Sequence, residues 1–268
     1  MKIIRYQNDQ GQTKLAWQNK NGAAFELDGS LYGKLEQTDR PATIGKLLAP
    51  IEPIAILCIG LNDKTHAEEG GMSLPELPIL FVKGINTLQN PNAPIQIPTF
   101  QKSDEVDYEC ELAVVIGKSC KNVSKDEALD YVLGYTCAND VSARNWQIKK
   151  GGGQWCKGKF FDTFAPLGPC LVTTDEITNP NTLGIRTRLN GRTVQDSNTS
   201  DMFFNVQEII SFLSGSTTLL PGTVILTGTP QGVGMSANPQ RYLRAGDSVT
   251  IEIDGTGELT NPVEDERA

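Results

Sequence analysis

Two glutamates stand immediately before an apolar run in the stretch DYECELAVVIGK. Glu109 and Glu111 are separated only by Cys110 and precede residues 112–116, LAVVI. Residues i and i+2 of a β-strand point the same way, so both carboxylates share one face. Buried carboxylates repel each other and lose hydration, which costs on the order of several kcal/mol per ion unless a cation compensates. The pattern predicts either a divalent-cation site or a solvated strand end whose glutamates pair with lysines.

The chain contains a single histidine, His66, in the polar stretch NDKTHAEEGG. If this stretch is helical, Glu69 lies three residues on and falls on the same face. A carboxylate beside an imidazole orients it and raises its basicity, as a general base requires. The alternative interpretation is a surface histidine on a charged helix. The glycines and the proline-bearing segment that follow are typical of a mobile flap.

A third acid, Asp140, ends an apolar strand in GYTCANDVSARNWQ, and Arg144 and Gln147 follow it. This arrangement is typical of a metal ligand beside anchors for a substrate carboxylate, because arginine binds carboxylates through two parallel hydrogen bonds. An ordinary surface Asp–Arg pair is the alternative. Further on, Lys159 lies in KGKFFDTF and Thr229 in the glycine-rich TGTPQGVG, which lacks the spacing of a phosphate-binding loop.

The composition excludes several classes of function. The 268 residues carry a formal net charge of -8 and no basic run, which argues against nucleic-acid or anionic-membrane partners and favours small-molecule ligands. No apolar run approaches the roughly 20 residues of a membrane helix. The six cysteines lack CxxC spacing, so we expect reduced, packed thiols and a cytoplasmic protein.

Turn signals and apolar periodicity divide the chain into two predicted domains. Residues 1–50 read as a small β meander ending in the helix-like TIGKLLA, and residues 51–268 as a larger, mainly β domain that contains the candidate residues named above. Hairpins are predicted at LNGRTVQ and DSVTIEIDGTGELT, and a buried strand at TVILTGTP. Besides NDKTHAEEGG, two segments show helix capping boxes, SKDEALDYVLG and NVQEIISFLSG, each closed by a glycine.

Five motifs in the same order closely resemble the fumarylacetoacetate hydrolase family, in particular its domain-containing proteins. They are DYECELAVVIGK, GYTCANDVSARNWQ, GKFFDTFAPLGPCLVT, LNGRTVQDSNTSDMFF and VILTGTPQGVG. The resemblance runs from about residue 56 to about residue 253. It implies a mixed α/β, mainly β fold, a β-sandwich roll with a small N-terminal β domain, and a homodimer.

The resemblance also implies a role for each candidate residue. The metal ligands fall on Glu109, Glu111 and Asp140, which would hold Mg²⁺ or Mn²⁺. The catalytic residues fall on His66, Glu69 and Lys159, and the substrate-binding residues on Arg144, Gln147 and Thr229. Two departures from related sequences, Asp63 and the Gly84 that follows Lys83, bear on substrate choice.

The implied chemistry is that of a metal-dependent enzyme acting on a 2-keto or β-diketo acid through an enolate that the cation stabilises. We expect hydrolysis of a carbon–carbon bond, of the acylpyruvate type, because the His66–Glu69 pair suits activation of water. Oxaloacetate decarboxylation and keto–enol tautomerisation use the same enolate and are alternatives. A noncatalytic metabolite-binding relative is the alternative of another class. A single histidine excludes a multi-histidine cupin site.

Overall fold

A computed structural model of the chain describes residues 1–267. Residue 268, the last residue of the predicted catalytic domain, lies outside the described range. Most of the regular structure is β, in agreement with the predicted fold class. No helix among the described residues is long and apolar enough to cross a membrane.

The first half of the chain is built of short strands and one helix. In chain order these are β1 (Lys2–Gln7), β2 (Thr13–Gln18), β3 (Ala24–Gly29), β4 (Leu35–Pro41), β5 (Lys46–Leu48), β6 (Ala55–Gly60), α1 (Lys64–Glu69), β7 (Ile79–Lys83), β8 (Leu88–Gln89), β9 (Ile95–Ile97), β10 (Val106–Asp107), β11 (Cys110–Ile116), β12 (Val132–Asn139) and β13 (Ser142–Ala143).

The second half adds two helices, a π-helical turn over Asn145–Lys150 and the closing hairpins. In chain order these are α2 (Cys156–Lys159), β14 (Ala165–Thr173), β15 (Gly184–Leu189), β16 (Arg192–Asn198), α3 (Val206–Ser214), β17 (Thr223–Leu226), β18 (Ser248–Ile253) and β19 (Gly257–Asp265).

Two principal sheets enclose the core. The larger one has twelve strands in the order β4-β3-β2-β1-β14-β12-β11-β17-β6-β7, with β5 on β1 and β8 on β14. The smaller one has the order β16-β15-β18-β19-β9, and β10 with β13 forms a separate two-stranded ladder. A large apolar cluster lies between the sheets and under α3, and a second cluster covers the opposite face of the large sheet.

The N-terminal strands continue the large sheet. β1 is antiparallel to β14, with Ile3 opposite Leu171. The segment TIGKLLA is not helical, and this expectation was wrong. Its residues 46–48 form β5, which pairs with β1, because long-range strand pairing outweighs a helix pattern interrupted by Gly45. The boundary at residue 50 stays a proposal.

The prediction of a helix at SKDEALDYVLG was also wrong. Only a 3₁₀ turn forms at Ala128–Tyr131, and β12 begins at Val132. Gly134 lies inside β12 where a Cβ would stand 2.3 Å from the carbonyl oxygen of Val172, so it permits close strand approach and ends no helix. Strand pairing on both sides of β12 overrides the local helix signal.

Three other local predictions are confirmed. Asn205 and Glu208 form the capping box of α3, and Gly215 ends that helix. The turn between β15 and β16 has positive φ at both Asn190 and Gly191, as a type I′ hairpin needs. β17 and the β18–β19 hairpin lie at the predicted segments.

Candidate metal centre and active site

Neighbouring strands bring three buried carboxylates together. Glu111 lies in β11 and Glu109 directly before it, while Asp140 directly follows β12, the antiparallel partner of β11. The backbone N–H of Asp140 donates to the carbonyl of Glu109 at 2.9 Å, which holds the two strand ends in register. One oxygen from each carboxylate lies within 4.8 Å of the others. The sequence-predicted acids therefore form one cluster.

Buried cations surround two of these acids. Lys159 Nζ donates to Glu109 Oε2 at 2.7 Å and to Asp140 Oδ2 at 2.8 Å. The other oxygen of Glu109 lies 2.6 Å from Arg144 Nη1, and the other oxygen of Asp140 lies 2.7 Å from Lys83 Nζ. Pairing with lysine, the alternative weighed for the glutamates, thus applies to Glu109.

Glu111 differs from its two neighbours. Its Oε2 accepts a hydrogen bond from the backbone of Gly228 at 2.7 Å, and within residues 1–267 it forms no ion pair. Burial, followed by the charges of Asp140 and Glu109, raises the pKa of Glu111 well above its usual value. Although burial opposes ionisation of Glu109, the charges of Lys159 and Arg144 hold the pKa of Glu109 at about 2.

The charge of the cluster fits a divalent cation. Four buried carboxylates (Asp107, Glu109, Glu111 and Asp140) face three buried cations (Lys83, Arg144 and Lys159). When all seven groups are ionised one negative charge is left over, and Glu111 is the side chain with no cationic partner among residues 1–267. Hard oxygen donors of this kind suit Mg²⁺ or Mn²⁺. The residues present therefore fit the cation that the sequence predicts.

Arg144 lines a cavity and has one donor without a partner among residues 1–267. Its Nε donates to Asp107 Oδ2 at 2.9 Å and its Nη1 to Gln147 Oε1 at 3.0 Å. Its Nη2 is buried and has no hydrogen-bond partner among the described residues. The cavity, of about 340 Å³, is lined by His66, Phe81, Glu109, Glu111, Arg144, Gln147, Trp155, Lys159 and Thr229 among others. An anionic group in the cavity would satisfy the free N–H groups of Arg144.

His66 and Glu69 lie on α1 as the helical spacing predicts. His66 Nδ1 is 3.5 Å from Glu69 Oε2, and Nδ1 forms no hydrogen bond with any residue of the range 1–267. Both oxygens of Glu69 instead accept from the backbone N–H of Gly232, at 3.2 and 3.1 Å. Burial lowers the pKa of His66, which favours the neutral imidazole. The pair is adjacent without a direct hydrogen bond.

Thr229 lies on the wall of the cavity, in the loop after β17. Its Oγ1 accepts from the buried Gln195 at 2.9 Å, and Gln195 also donates to the carbonyl of Pro230 at 2.8 Å. Gln195 Oε1 in turn accepts from the backbone of Cys110 at 3.0 Å. A buried glutamine thus joins this loop to β11.

Sequence reasoning missed two buried charged residues beside the site. Lys83 was considered only for the glycine after it, and Asp107 was assigned no role. Lys83 is a single charge at the end of the apolar run ILFV, a pattern that signals an internal partner. For Asp107 the i−2 spacing from Glu109 was available, but its partners come from distant segments.

Comparisons with known proteins place this chain among well-defined relatives. Oxaloacetate tautomerase fahd2, mitochondrial, of Xenopus laevis is 52% identical over 218 residues, which cover 81% of this chain and 68% of that protein. The fumarylacetoacetate hydrolase domain-containing protein 2 homolog of Dictyostelium discoideum is 50% identical over 227 residues, covering 81% of this chain and 74% of that protein.

A solved structure and a family model agree with these relatives. The structure of 5-carboxymethyl-2-hydroxymuconate delta-isomerase from Mycobacterium smegmatis superposes with a TM-score of 0.87 at 37% identity, over 99% of this chain and 100% of that one. The model of the fumarylacetoacetate (FAA) hydrolase C-terminal domain matches residues 55–264. These residues include the three carboxylates, the arginine and the histidine of the cavity, so the chain belongs to the fumarylacetoacetate hydrolase family.

Proposed function

We propose that this chain is a metal-dependent enzyme that interconverts the keto and enol forms of oxaloacetate or a closely related 2-keto dicarboxylate. The observation that carries the proposal is the free Nη2 of Arg144, which lies beside the carboxylate cluster. A 2-keto dicarboxylate has two carboxylates. If its keto-acid end lies at the carboxylate cluster, its second carboxylate can bind the guanidinium of Arg144. Arginine suits this role because it stays charged when buried.

The three clustered carboxylates are the proposed ligands of the cation. Glu109, Glu111 and Asp140 would hold Mg²⁺ or Mn²⁺, the two ions expected for this oxygen donor set. When bound, the ion polarises a keto oxygen and stabilises the negative charge that develops on it.

Lys159 supplies a fixed positive charge at the cavity. Although burial opposes it, the charges of Asp140 and Glu109 raise the pKa of Lys159, so the ammonium group stays protonated near neutral pH. A protonated lysine stabilises negative charge on the substrate oxygen and does not serve as the base.

His66 is the group that moves the proton. As a neutral imidazole it takes a proton from C3 of the keto form, and the enolate oxygen takes a proton from water to give the enol. In the reverse direction the enol O–H releases its proton to water and the protonated imidazole returns a proton to C3. Glu69, 3.5 Å away, favours the transient positive charge on the ring. Gln147 holds Nη1 of Arg144 and so restricts rotation of the guanidinium beside the cavity.

The relatives support this choice over the hydrolysis favoured by the sequence pattern. The Xenopus relative is named an oxaloacetate tautomerase, and the Mycobacterium structure an isomerase, whose chemistry also moves a proton without adding water. Their identities of 52% and 37% extend over most of this chain.

Hydrolysis of an acylpyruvate remains the second candidate because His66, which is adjacent to Glu69, lines the same cavity as Glu109 and Glu111. Loss of CO₂ from oxaloacetate draws on the same cation and is measured in the same experiment. A noncatalytic relative would retain the fold and bind the keto acid without converting it.

The test is a direct assay with the purified chain in Mg²⁺ or Mn²⁺. Enol oxaloacetate is added and its ultraviolet absorbance is followed, with CO₂ release and acetopyruvate cleavage measured in parallel. We expect the enol to decay faster with the protein than in the same metal-containing buffer without it. The Arg144→Met variant should not accelerate the decay. If enol decay is not accelerated while acetopyruvate is cleaved, hydrolysis replaces tautomerisation as the proposed reaction. If none of the three reactions is accelerated, the chain is a noncatalytic binder.

The homodimer and the cytoplasmic location are part of the same proposal. The Xenopus relative is named mitochondrial, so localisation of the tagged chain in its own cell tests the second point. Light scattering of the purified protein tests the first.

A further inference from the structure

Asp107 is a buried carboxylate outside the proposed metal set and outside the cavity lining. It is 0% exposed and accepts four hydrogen bonds. Oδ2 accepts from Arg144 Nε at 2.9 Å and from the backbone N–H of Met235 at 3.0 Å. Oδ1 accepts from the backbone N–H groups of Gly234 at 2.7 Å and Tyr108 at 2.9 Å.

These bonds join two parts of the cavity wall that are remote in sequence. Arg144 follows β13, which pairs with β10 so that Asp107 stands opposite Ser142. Gly234 and Met235 belong to the 3₁₀ turn Gly234–Ser236, and Met235 lines the cavity with Arg144. One carboxylate therefore holds both the guanidinium and this turn.

The turn is shaped to reach Asp107. A Cβ on Gly234 would stand 2.6 Å from Asp107 Oδ1 and 1.7 Å from the carbonyl oxygen of Arg241. Only glycine allows the backbone to approach the carboxylate so closely. The contact is therefore a specific feature of the packing.

We infer that Asp107 is a positioning residue that fixes Arg144 and the 3₁₀ turn Gly234–Ser236 as one unit and thereby sets selectivity for substrates with a second carboxylate. With Nε bound to Asp107 and Nη1 bound to Gln147 and Glu109, the guanidinium cannot rotate, and Nη2 is the nitrogen left for a ligand. Fixing a donor before binding lowers the entropic cost of recognition. The inference rests on the proposed role of Arg144 in binding a carboxylate.

Asp107→Asn is the informative substitution because it keeps the shape of the side chain. The amide nitrogen would face either the N–H groups of Arg144 and Met235 or those of Gly234 and Tyr108, and two donors repel. Glu105→Gln is the matched control, since Glu105 lies on the same segment but its carboxylate pairs with the exposed Lys149.

Calorimetry in saturating Mg²⁺ measures selectivity without turnover. The ligands are 3,3-difluoro-oxaloacetate, which has no C3 hydrogen and cannot enolise, and pyruvate, which lacks the second carboxylate. We expect Asp107→Asn to weaken dicarboxylate binding by about 10-fold to 100-fold, the range of one charge-assisted contact, and to change pyruvate binding little. Glu105→Gln should retain the preference of the parent.

A thermodynamic cycle separates positioning from general stability. In the Arg144→Met background, adding Asp107→Asn should cause no further loss of the preference for the dicarboxylate, because Asp107 acts through Arg144. The double variant removes both charges of the buried pair, so it tests the idea even if Asp107→Asn alone does not fold.

The outcomes distinguish this inference from the proposed function. A parent that prefers the dicarboxylate but does not tautomerise oxaloacetate contradicts the proposed function alone. A parent without that preference, an Asp107→Asn variant that keeps it, or an additional loss in the double variant each overturns the role of Asp107.

Discussion

Lys83 Nζ lies 2.7 Å from Asp140 Oδ1, and both side chains are completely shielded from solvent. The two residues are 57 positions apart in the chain, and the lysine also donates to the carbonyl of Val141 at 3.1 Å. Lys83 thus binds Oδ1 of Asp140, and Lys159 binds Oδ2. A buried charge pair of this kind is costly to break from one side.

Lys83→Met should therefore lower the free energy of unfolding by about 3–5 kcal/mol, because it leaves Oδ1 of the buried Asp140 without its cation. The decrease in the free energy of unfolding should be smaller in Mg²⁺, since a cation bound to the cluster compensates part of the unpaired charge of Asp140. Urea denaturation with and without Mg²⁺ measures both effects. Lys125→Met is the matched control, because Lys125 pairs with Glu208 at the surface, where such pairs contribute about 0–1 kcal/mol. Equal effects of the two substitutions would contradict this account.

Glu111→Gln should have opposite effects on stability and on metal binding. Burial and the neighbouring charges of Asp140 and Glu109 raise the pKa of Glu111, so a neutral amide removes an unfavourable charge from the metal-free protein. The amide oxygen can still accept from Gly228. We expect Tm without metal to be unchanged or higher, and the increase in Tm on adding Mg²⁺ or Mn²⁺ to disappear. A variant that loses stability without metal and keeps the metal-induced increase speaks against Glu111 as a ligand.

His66→Ala should separate the candidate reactions. A general base contributes roughly 10²–10⁴-fold in rate, so we expect tautomerisation and any acetopyruvate cleavage to fall by that factor, while decarboxylation falls less. Metal affinity should not change, because His66 is not among the proposed ligands. Glu68→Ala on the same helix is the control and should retain the parental rates. Parental activity in His66→Ala would return the histidine to a structural role.

Asp63 makes stability depend on pH near neutrality. Its Oδ1 caps α1 by accepting from the N–H of His66 at 2.8 Å, and burial raises the pKa of Asp63 to about 7. The folded state therefore binds a proton that the unfolded state releases near pH 4, so this group's contribution is fully present below about pH 4 and is lost as pH rises to about 7.

Asp63→Asn keeps the capping oxygen and removes the charge. We expect the variant to be more stable than the parent at pH 8, by on the order of 1–3 kcal/mol, and to differ little at pH 4. Thermal unfolding across pH 4–8 checks this. If the difference has the same size at both ends of the range, Asp63 does not titrate as described.

The sequence determined those features that depend on neighbours along the chain. The i, i+2 spacing of Glu109 and Glu111 and the i, i+3 spacing of His66 and Glu69 follow from strand and helix periods alone. The capping box of α3 and the Asn-Gly turn also depend on local hydrogen bonds and backbone angles. The ordered motifs pointed to the family that the family model matches.

Only the tertiary structure decided the rest. Strand pairing takes up residues 46–48 of TIGKLLA and residues 132–134 of SKDEALDYVLG, because hydrogen bonds to distant strands outweigh local propensity. The roles of Lys83 and Asp107 depend on partners 37 or more residues away. Which carboxylate has a cation beside it, and which nitrogen of Arg144 stays free, depends on distances of a few tenths of an ångström set by packing. The spacing of residues along the chain cannot predict those distances, since they arise only when remote segments are buried together.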